Sequence, residues 1–337
     1  MKNRKQRIGI LAIALVVGFT VMGCGAFTNV NKIYNYLSLS RRVGRSAEGP
    51  VPLTVKVNLD ENWENLLSAI NGAGVRVNLD LSKSTSSVFH TGENGSAYIV
   101  SLILPNNVTT ILGDFNIFPN LTSLSFPASV DFDEMNPFVG CPSIVFTVTG
   151  KGDLSVIENG KALVRGEELI AYPSASGSVT LNNIKVIGRS AFNGNDITDV
   201  HFPSAEIIGI RAFSGCEDLQ IIDLPSVVTI NEHAFANTGN EPLVITLNPS
   251  IETIAANLFE GVTTRKNVTL KVPEDEAAKI TTMRDAFRGR GWNEGDFVEA
   301  AGRNRVVVED DWYYGRTQRN VWVSTLNNNI IITVEGY

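Results

Sequence analysis

The sequence predicts a β-rich repeat solenoid of the α+β class. Three observations predict it: a phrase that recurs every 21 to 24 residues, a proline ten residues before the phenylalanine of three of its four copies, and a short apolar pattern before each of these prolines. The copies are Ile187-Gly188-Arg189-Ser190-Ala191-Phe192, Ile208-Gly209-Ile210-Arg211-Ala212-Phe213 and Ile230-Asn231-Glu232-His233-Ala234-Phe235, with a weaker one from Ile254 to Phe259. Pro203, Pro225 and Pro249 each stand ten residues before a phrase phenylalanine. Pro105 precedes Phe115 by ten and Pro127 precedes Phe138 by eleven, so the frame extends to six rungs. Such a period is that of stacked repeats, none of which can bury its apolar face alone.

Within each rung the apolar positions specify a strand. Leu121, Leu124 and Phe126, then Ile197, Val200 and Phe202, then Leu219, Ile222 and Leu224 repeat one spacing, L-x-x-L-x-L, with one face buried. Proline has no N–H to continue a ladder, so it ends each strand at a fixed place. The phenylalanine then closes the turn and stacks on its neighbours.

The run from Ile208-Gly209 through Ala212-Phe213-Ser214-Gly215-Cys216 to Leu219 resembles the BspA-like leucine-rich repeat. The resemblance covers residues 99–273 and implies a right-handed leucine-rich-repeat solenoid. It also implies surface lipoproteins of host-associated bacteria and, by analogy, a role in adhesion or recognition.

One interval breaks the period, because Phe138 and Phe192 are too far apart for a single repeat. An insertion is expected over 145–180. Asn159-Gly160 signals a two-residue hairpin turn and Arg165-Gly166-Glu167 a second one, read as decoration on one continuous solenoid, with a domain boundary as the alternative. An N-terminal β-α-β cap is expected over 51–98. It comprises a strand from Pro52 to Leu59, a helix capped by Asp60 with Trp63, Leu66, Leu67 and Ile70 on one face and ended by Gly72, and a strand from Val75 to Leu81. Residues 274–337 read as a helix from Glu274 to Arg288 and strands at Arg305–Glu309, Asn320–Thr325 and Ile330–Val334. They form either a C-terminal cap or a small module.

The N-terminus reads as an address. A basic start, Lys2 to Arg7, leads into an apolar run from Ile8 to Val21, too short for the roughly 20 residues of a membrane span. Val21-Met22-Gly23-Cys24 resembles a bacterial lipobox, with Met22 departing from the usual small residue. The resemblance implies removal of residues 1–23, lipidation of Cys24, and a cell-envelope lipoprotein at the outer membrane or cell surface. Residues 24–50, including Arg41, Arg42 and Arg45, read as a solvated tether with one short helix. Without Lys2, Arg4, Lys5 and Arg7, 24 basic residues face 35 acidic ones, a charge of −11. Such a surface repels phosphate backbones, so nucleic acid is not an expected partner.

Catalytic and cofactor signatures are missing. His90, His201 and His233 fall at no metal-ligand spacing, and the chain has no G-x-S-x-G elbow, phosphate loop or dinucleotide motif. No enzyme, cofactor or metal is expected. Cys141 and Cys216 each sit three places after a rung phenylalanine, and read as small core residues because rungs two apart are too distant for a disulfide. The candidate binding face is the set of outward strand positions counted back from the prolines. Two before lie Ile103, Ser125, His201, Asp223 and Lys271, with Thr246 if one residue is inserted before Pro249. Four before lie Ser101, Ser123, Asp199 and Ile221. A non-enzymatic surface for a protein or glycan ligand is the first expectation. A structural envelope component docking through Trp312, Tyr313, Tyr314 and Trp322 is the second, and an enzyme with dispersed carboxylates, such as the Glu309-Asp310-Asp311 cluster, is the third.

Overall fold

Alternating apolar residues before a proline, and a shorter apolar pair before a phenylalanine, give a rung a long and a short strand that face a core between them. The computed structural model describes residues 26–44, 47, 49–132, 136–238, 243–247, 252–255, 258, 260, 266–272, 297–299, 320–324 and 330–336. Helix α1 (Asn31–Arg42) precedes strand β1 (Val51–Thr54) and helix α2 (Leu59–Ala73). Then come β2 (Val77–Asp80), β3 (Val88–His90), β4 (Ile99–Ile103), β5 (Thr110–Leu112), β6 (Ser123–Pro127), β7 (Asp131–Phe132) and β8 (Val145–Thr149). A meander of β9 (Leu154–Ile157), β10 (Ala162–Arg165) and β11 (Glu168–Ala171) follows. The second run of rungs contains β12 (Ser176–Thr180), β13 (Val186–Ile187), β14 (Asp196–His201), β15 (Ile207–Ile208), β16 (Ile221–Leu224), β17 (Thr229–Ile230), β18 (Leu243–Leu247), β19 (Thr253–Ile254) and β20 (Lys266–Val272). Last come β21 (Phe297–Glu299), β22 (Asn320–Ser324) and β23 (Ile330–Gly336).

The long strands form two sheets, ordered β1-β2-β4-β6-β8 and β12-β14-β16-β18-β20-β23-β22-β21. The short ones form β3-β5-β7 and β9-β10-β11-β13-β15-β17-β19. Successive rungs pair in parallel, for example Leu102 with Leu124 and Val200 with Ile222.

The expected cap over 51–98 is the first rungs themselves, since β1 and β2 pair in parallel and β2 pairs with β4. Helix α2 takes the place of a short strand in the first rung. Its N-cap is Asn58, whose side chain accepts from the Asp60 N–H at 3.1 Å, and not Asp60. Asp60 and Glu61 instead occupy the first turn, where the helix dipole favours them. The helix ends at Gly74, not Gly72, because Gly74 at φ 64° donates back to Ile70 and Asn71. The expected tether is also part of the fold. Phe27 bridges Val55, and α1 buries Ile33, Tyr36 and Leu37 in the core of the first rungs.

Each turn buries a phenylalanine. Phe89, Phe115 and Phe138 form one stack, with centroids 6.4 and 5.4 Å apart, and Phe192, Phe213 and Phe235 a second, with centroids 5.4 and 5.5 Å apart. Ser190, Arg211 and His233, two residues before a phenylalanine, all hold φ between 54° and 57°. This left-handed conformation turns the chain from short strand to phenylalanine. Three positions after it, a side chain ties the turn: Asn195 Nδ2 donates to the Tyr172 carbonyl at 2.7 Å and Cys216 Sγ to that of Phe192 at 3.0 Å. Cys141 and Cys216 are buried and unbridged.

The insertion is not decoration. It spans β9 to β11, whereas Val145–Thr149 and Ser176–Thr180 belong to rung sheets. The first turn is a four-residue loop, because Ile157 pairs with Ala162, and Asn159 and Gly160 both adopt positive φ. The meander separates two apolar cores. Ala162, Val164 and Leu169 face the C-terminal core, while Leu163 and Ala171 face the N-terminal one. Strand β10 is thus buried on both faces, a wall between two stacks. Asn136 Nδ2 reaches across to the Ser190 carbonyl at 2.9 Å.

Strand β23 pairs with β20 in parallel over seven residues, and β22 and β21 continue that sheet antiparallel. The expected strands near 320 and 330 are therefore continuous with the repeats. Cys24, Pro249, Phe259, the expected helix Glu274–Arg288, the strand Arg305–Glu309 and residues Trp312 to Tyr314 lie outside the described residues.

Candidate binding face

Parallel pairing turns a sequence spacing into rows, because a strand position fixed relative to the proline sits beside its equivalent in the next rung; the register shifts are confined to the starts of the β2–β4 and β12–β14 pairings, before the row positions. In the N-terminal sheet Asn78, Ser101, Ser123 and Val145 form one row, and Asp80, Ile103, Ser125 and Thr147 a second. In the C-terminal sheet Ser178, Asp199, Ile221 and Val244 stand side by side, as do Thr180, His201, Asp223, Thr246, Lys271 and Glu335. All ten positions predicted from the sequence thus fall into rows, including Thr246, which pairs with Asp223 as the inserted residue requires. They do not form a single face, because β8 and β12 belong to different sheets.

Most of the row positions are polar. Their inward neighbours Leu102, Leu124, Val200 and Ile222 are fully buried, so the strand alternation cleanly separates core from face. Among the side chains described on these rows, Ile103, Val145 and Ile221 are the exposed large apolar ones, Ile221 at 47%. Asp199 accepts from Thr198 Oγ1 at 2.6 Å, and His201 Nδ1 is paired with the Asp223 carboxylate on the next strand. That pairing fixes the imidazole as a polar contact, and no hydroxyl hydrogen bond to the ring is found among the described residues. No group of three or more His, Cys, Asp or Glu side chains is placed to hold a metal ion among them.

Sequence reasoning missed the outward positions supplied by the expected cap and insertion, Asn78, Asp80, Val145, Thr147, Ser178 and Thr180. Asn78, Asp80, Ser178 and Thr180 precede no rung proline, so the counting rule had no anchor for them. It also missed a groove of about 560 Å³ between α2 and β3, and a hollow of about 440 Å³ beside Arg211 and His233. In that hollow His233 Nδ1 pairs with Glu260 Oε2 at 2.5 Å.

Stacked parallel rungs with a strand, a proline and a buried phenylalanine define a leucine-rich-repeat architecture. Residues 185–285 match the BspA type leucine rich repeat region in six copies, so that stretch is similar to BspA-type leucine-rich repeats. No curated protein matches the chain. Among solved structures, the pneumococcal vaccine antigen PcpA is similar, at 12% identity over 69% of this chain and 76% of that one, with a TM-score of 0.33.

Proposed function

We propose that the chain is a right-handed leucine-rich-repeat solenoid, anchored by lipid on Cys24 at a bacterial cell surface, whose long-strand faces bind a protein or glycan without chemical turnover. The observation that carries this reading is the set of outward rows, in which small hydroxyl and charged side chains from successive rungs stand in register over a fully buried layer. Repeat stacks use such extended surfaces for binding. The hand follows from the strong preference for right-handed crossovers between parallel strands.

Anchoring is supported by the short distance from Cys24 to the fold. Phe27, already paired with Val55, is three residues on and so within roughly 10 Å along an extended chain. No helix among the described residues is long and apolar enough to cross a membrane. Covalent lipid would thus hold the first rung against the headgroups.

The test combines surface proteolysis with face variants. Intact cells producing the protein are treated with protease, Cys24→Ala is examined for loss of membrane association, and binding is measured on arrays of immobilised extracellular proteins and glycans. Shaving from intact cells is expected, and Ser123→Glu with Ser125→Glu, or Asp199→Lys with Asp223→Lys, should cut captured-ligand affinity about tenfold without unfolding. Protection until the outer membrane is broken, or unchanged binding by both variant pairs, overturns the proposal. A second reading, an envelope scaffold docking through the C-terminal strands, is favoured by the terminal place of β21 and β22 in their sheet. It predicts that crosslinking captures an envelope protein through Trp322.

A further inference from the structure

Helix α1 is the first layer of the stack. Strand β3 pairs with β5, and α2 packs on β3, where Trp63 Nε1 donates to the Thr91 carbonyl at 2.9 Å. Gly72 lies about two and a half turns after Trp63, on the opposite face of α2. There α1 crosses it, so close that a Cβ on Gly72 would lie 3.5 Å from the Tyr34 ring. Phe27 extends the long-strand sheet at the same end, exchanging backbone bonds with Thr54 and Lys56 at 2.8 and 2.7 Å. The helix turns Ile33, Tyr36, Leu37 and Ser40 towards the fold. Its opposite ridge is Asn31, Asn35, Ser38 and Arg42, flanked by Lys32 and Val43. Val43, at 54%, is the most exposed large apolar side chain among the described residues.

Charge says what this end faces. In a chain of net charge −7, no aspartate or glutamate occurs from Gly25 to Ala47, whereas Lys32, Arg41, Arg42 and Arg45 do. Arg41 lies against Gly74 at the end of α2, where the helix dipole favours a cation. Lys32 and Arg42 are exposed and have no acidic partner among the described residues. The acids of α2 nearest its start, Asp60 and Glu61, stand at the end of that helix away from Gly72. Each basic side chain brought to an anionic bilayer strengthens binding about fivefold. A second copy of the chain would set Lys32 and Arg42 against themselves, and one face of a 12-residue helix falls short of the roughly 800 Å² per partner of a stable interface. We propose that the exposed face of α1 docks on anionic phospholipid headgroups, so that the solenoid stands on its first rung and its long-strand faces look along the bilayer. This rests on the lipid-anchor reading and deepens it, because a lipid on Cys24 fixes a point and the helix fixes a direction.

The full chain, purified from producing cells, is reconstituted on vesicles of phosphatidylcholine or of an equimolar mixture of phosphatidylcholine and phosphatidylglycerol. Acetylation of Lys32 by a membrane-impermeant reagent is read by peptide mass spectrometry against Lys83 and Lys151, which are also exposed. Lys32 should react at least about fivefold more slowly on the anionic vesicles than on the neutral ones, with both references unchanged and the difference removed by high salt. Arg42→Gln with Arg45→Gln should weaken docking about 25-fold and return Lys32 to its rate on neutral vesicles. Equal Lys32 rates on the two vesicles, or protection that survives the double variant, overturns the proposal. Protection in detergent solution that grows with protein concentration overturns it in favour of a second copy. Flotation and the mass of the Cys24 peptide judge the anchor separately. Unacylated chain that stays off both vesicles sinks that reading and this one together, whereas chain that floats with Lys32 equally reactive on both sinks this one alone.

Discussion

Replacing Leu163 with alanine tests whether the β9–β11 wall couples the two stacks. Leu163 is fully buried and packs only against the N-terminal core, while its neighbours Ala162 and Val164 on the same strand pack against the C-terminal one. Truncating a buried leucine costs about 2–5 kcal/mol, a large part of the roughly 5–15 kcal/mol that holds a domain together. If β10 is a shared wall, that loss passes through the strand into both stacks. Amide hydrogen exchange read by mass spectrometry measures it. Peptides covering β4 to β8 and those covering β13 to β16 should both exchange faster, by roughly 30-fold or more for protons released by cooperative opening. Val164→Ala, on the opposite face, should accelerate the same two sets by a smaller factor, because it removes about 1.6 kcal/mol of buried methylene plus a small cavity term. Acceleration confined to residues 51–149 in the first variant and to residues 176–238 in the second would refute the coupling and make the meander a boundary between independent units.

Gly152 is packed so that an added methyl would lie 2.1 Å from the Ala128 carbonyl, so Gly152→Ala should cost about 1–3 kcal/mol and lower the melting temperature by several degrees. Arg211 holds φ 57°, and Arg211→Gly should relieve about 0.5–1 kcal/mol, seen as a rise in melting temperature of a few degrees. Burial, with a smaller contribution from Asp114, pushes the Cys141 thiol from 9.0 up to about 12. Between those two values the unfolded thiol ionises and the native one does not, so stability present below about pH 9 is lost as pH rises towards 12. Urea titrations at pH 8 and pH 10.5 should show that decline in wild type and a smaller one in Cys141→Ala.

The rows were legible because two constraints fix their phase. Proline before each turn sets where a strand stops, and phenylalanine ten residues later sets where the next rung begins, so counting back from proline found His201 beside Asp223 without coordinates. Rungs without that punctuation were not legible. Strand β2 is followed by no proline, and β3 enters its rung through Phe89 at a different spacing. The wall was hidden because both faces of β10 are buried, and Ala162-Leu163-Val164 therefore shows no alternation from which two cores can be inferred. The caps of α2 were misplaced by two residues because Asn58 and Asp60 are both good capping residues, and the one that precedes the turn is chosen by tertiary contact, the Leu59 N–H meeting the Thr85 carbonyl at 3.0 Å. The docking of α1 depends on Phe27 meeting a strand beyond the helix, a contact that no local pattern encodes.

The left-handed turn column of the C-terminal stack sets the increment in which this molecule can be edited. Each turn hands the same backbone bonds to the next, as Phe192 N–H to Ala212 and Phe213 N–H to Ala234 show. Excising residues 204–225 therefore sets Phe192 beside Phe235 and β14 beside β18, restoring every class of contact that was removed. A cut of a few residues within the same stretch instead throws the strand alternation out of phase and turns core residues towards water. No such excision exists across the meander, whose strands are matched to two different neighbours. On one side of the wall, length changes by whole rungs, and at the wall it is fixed.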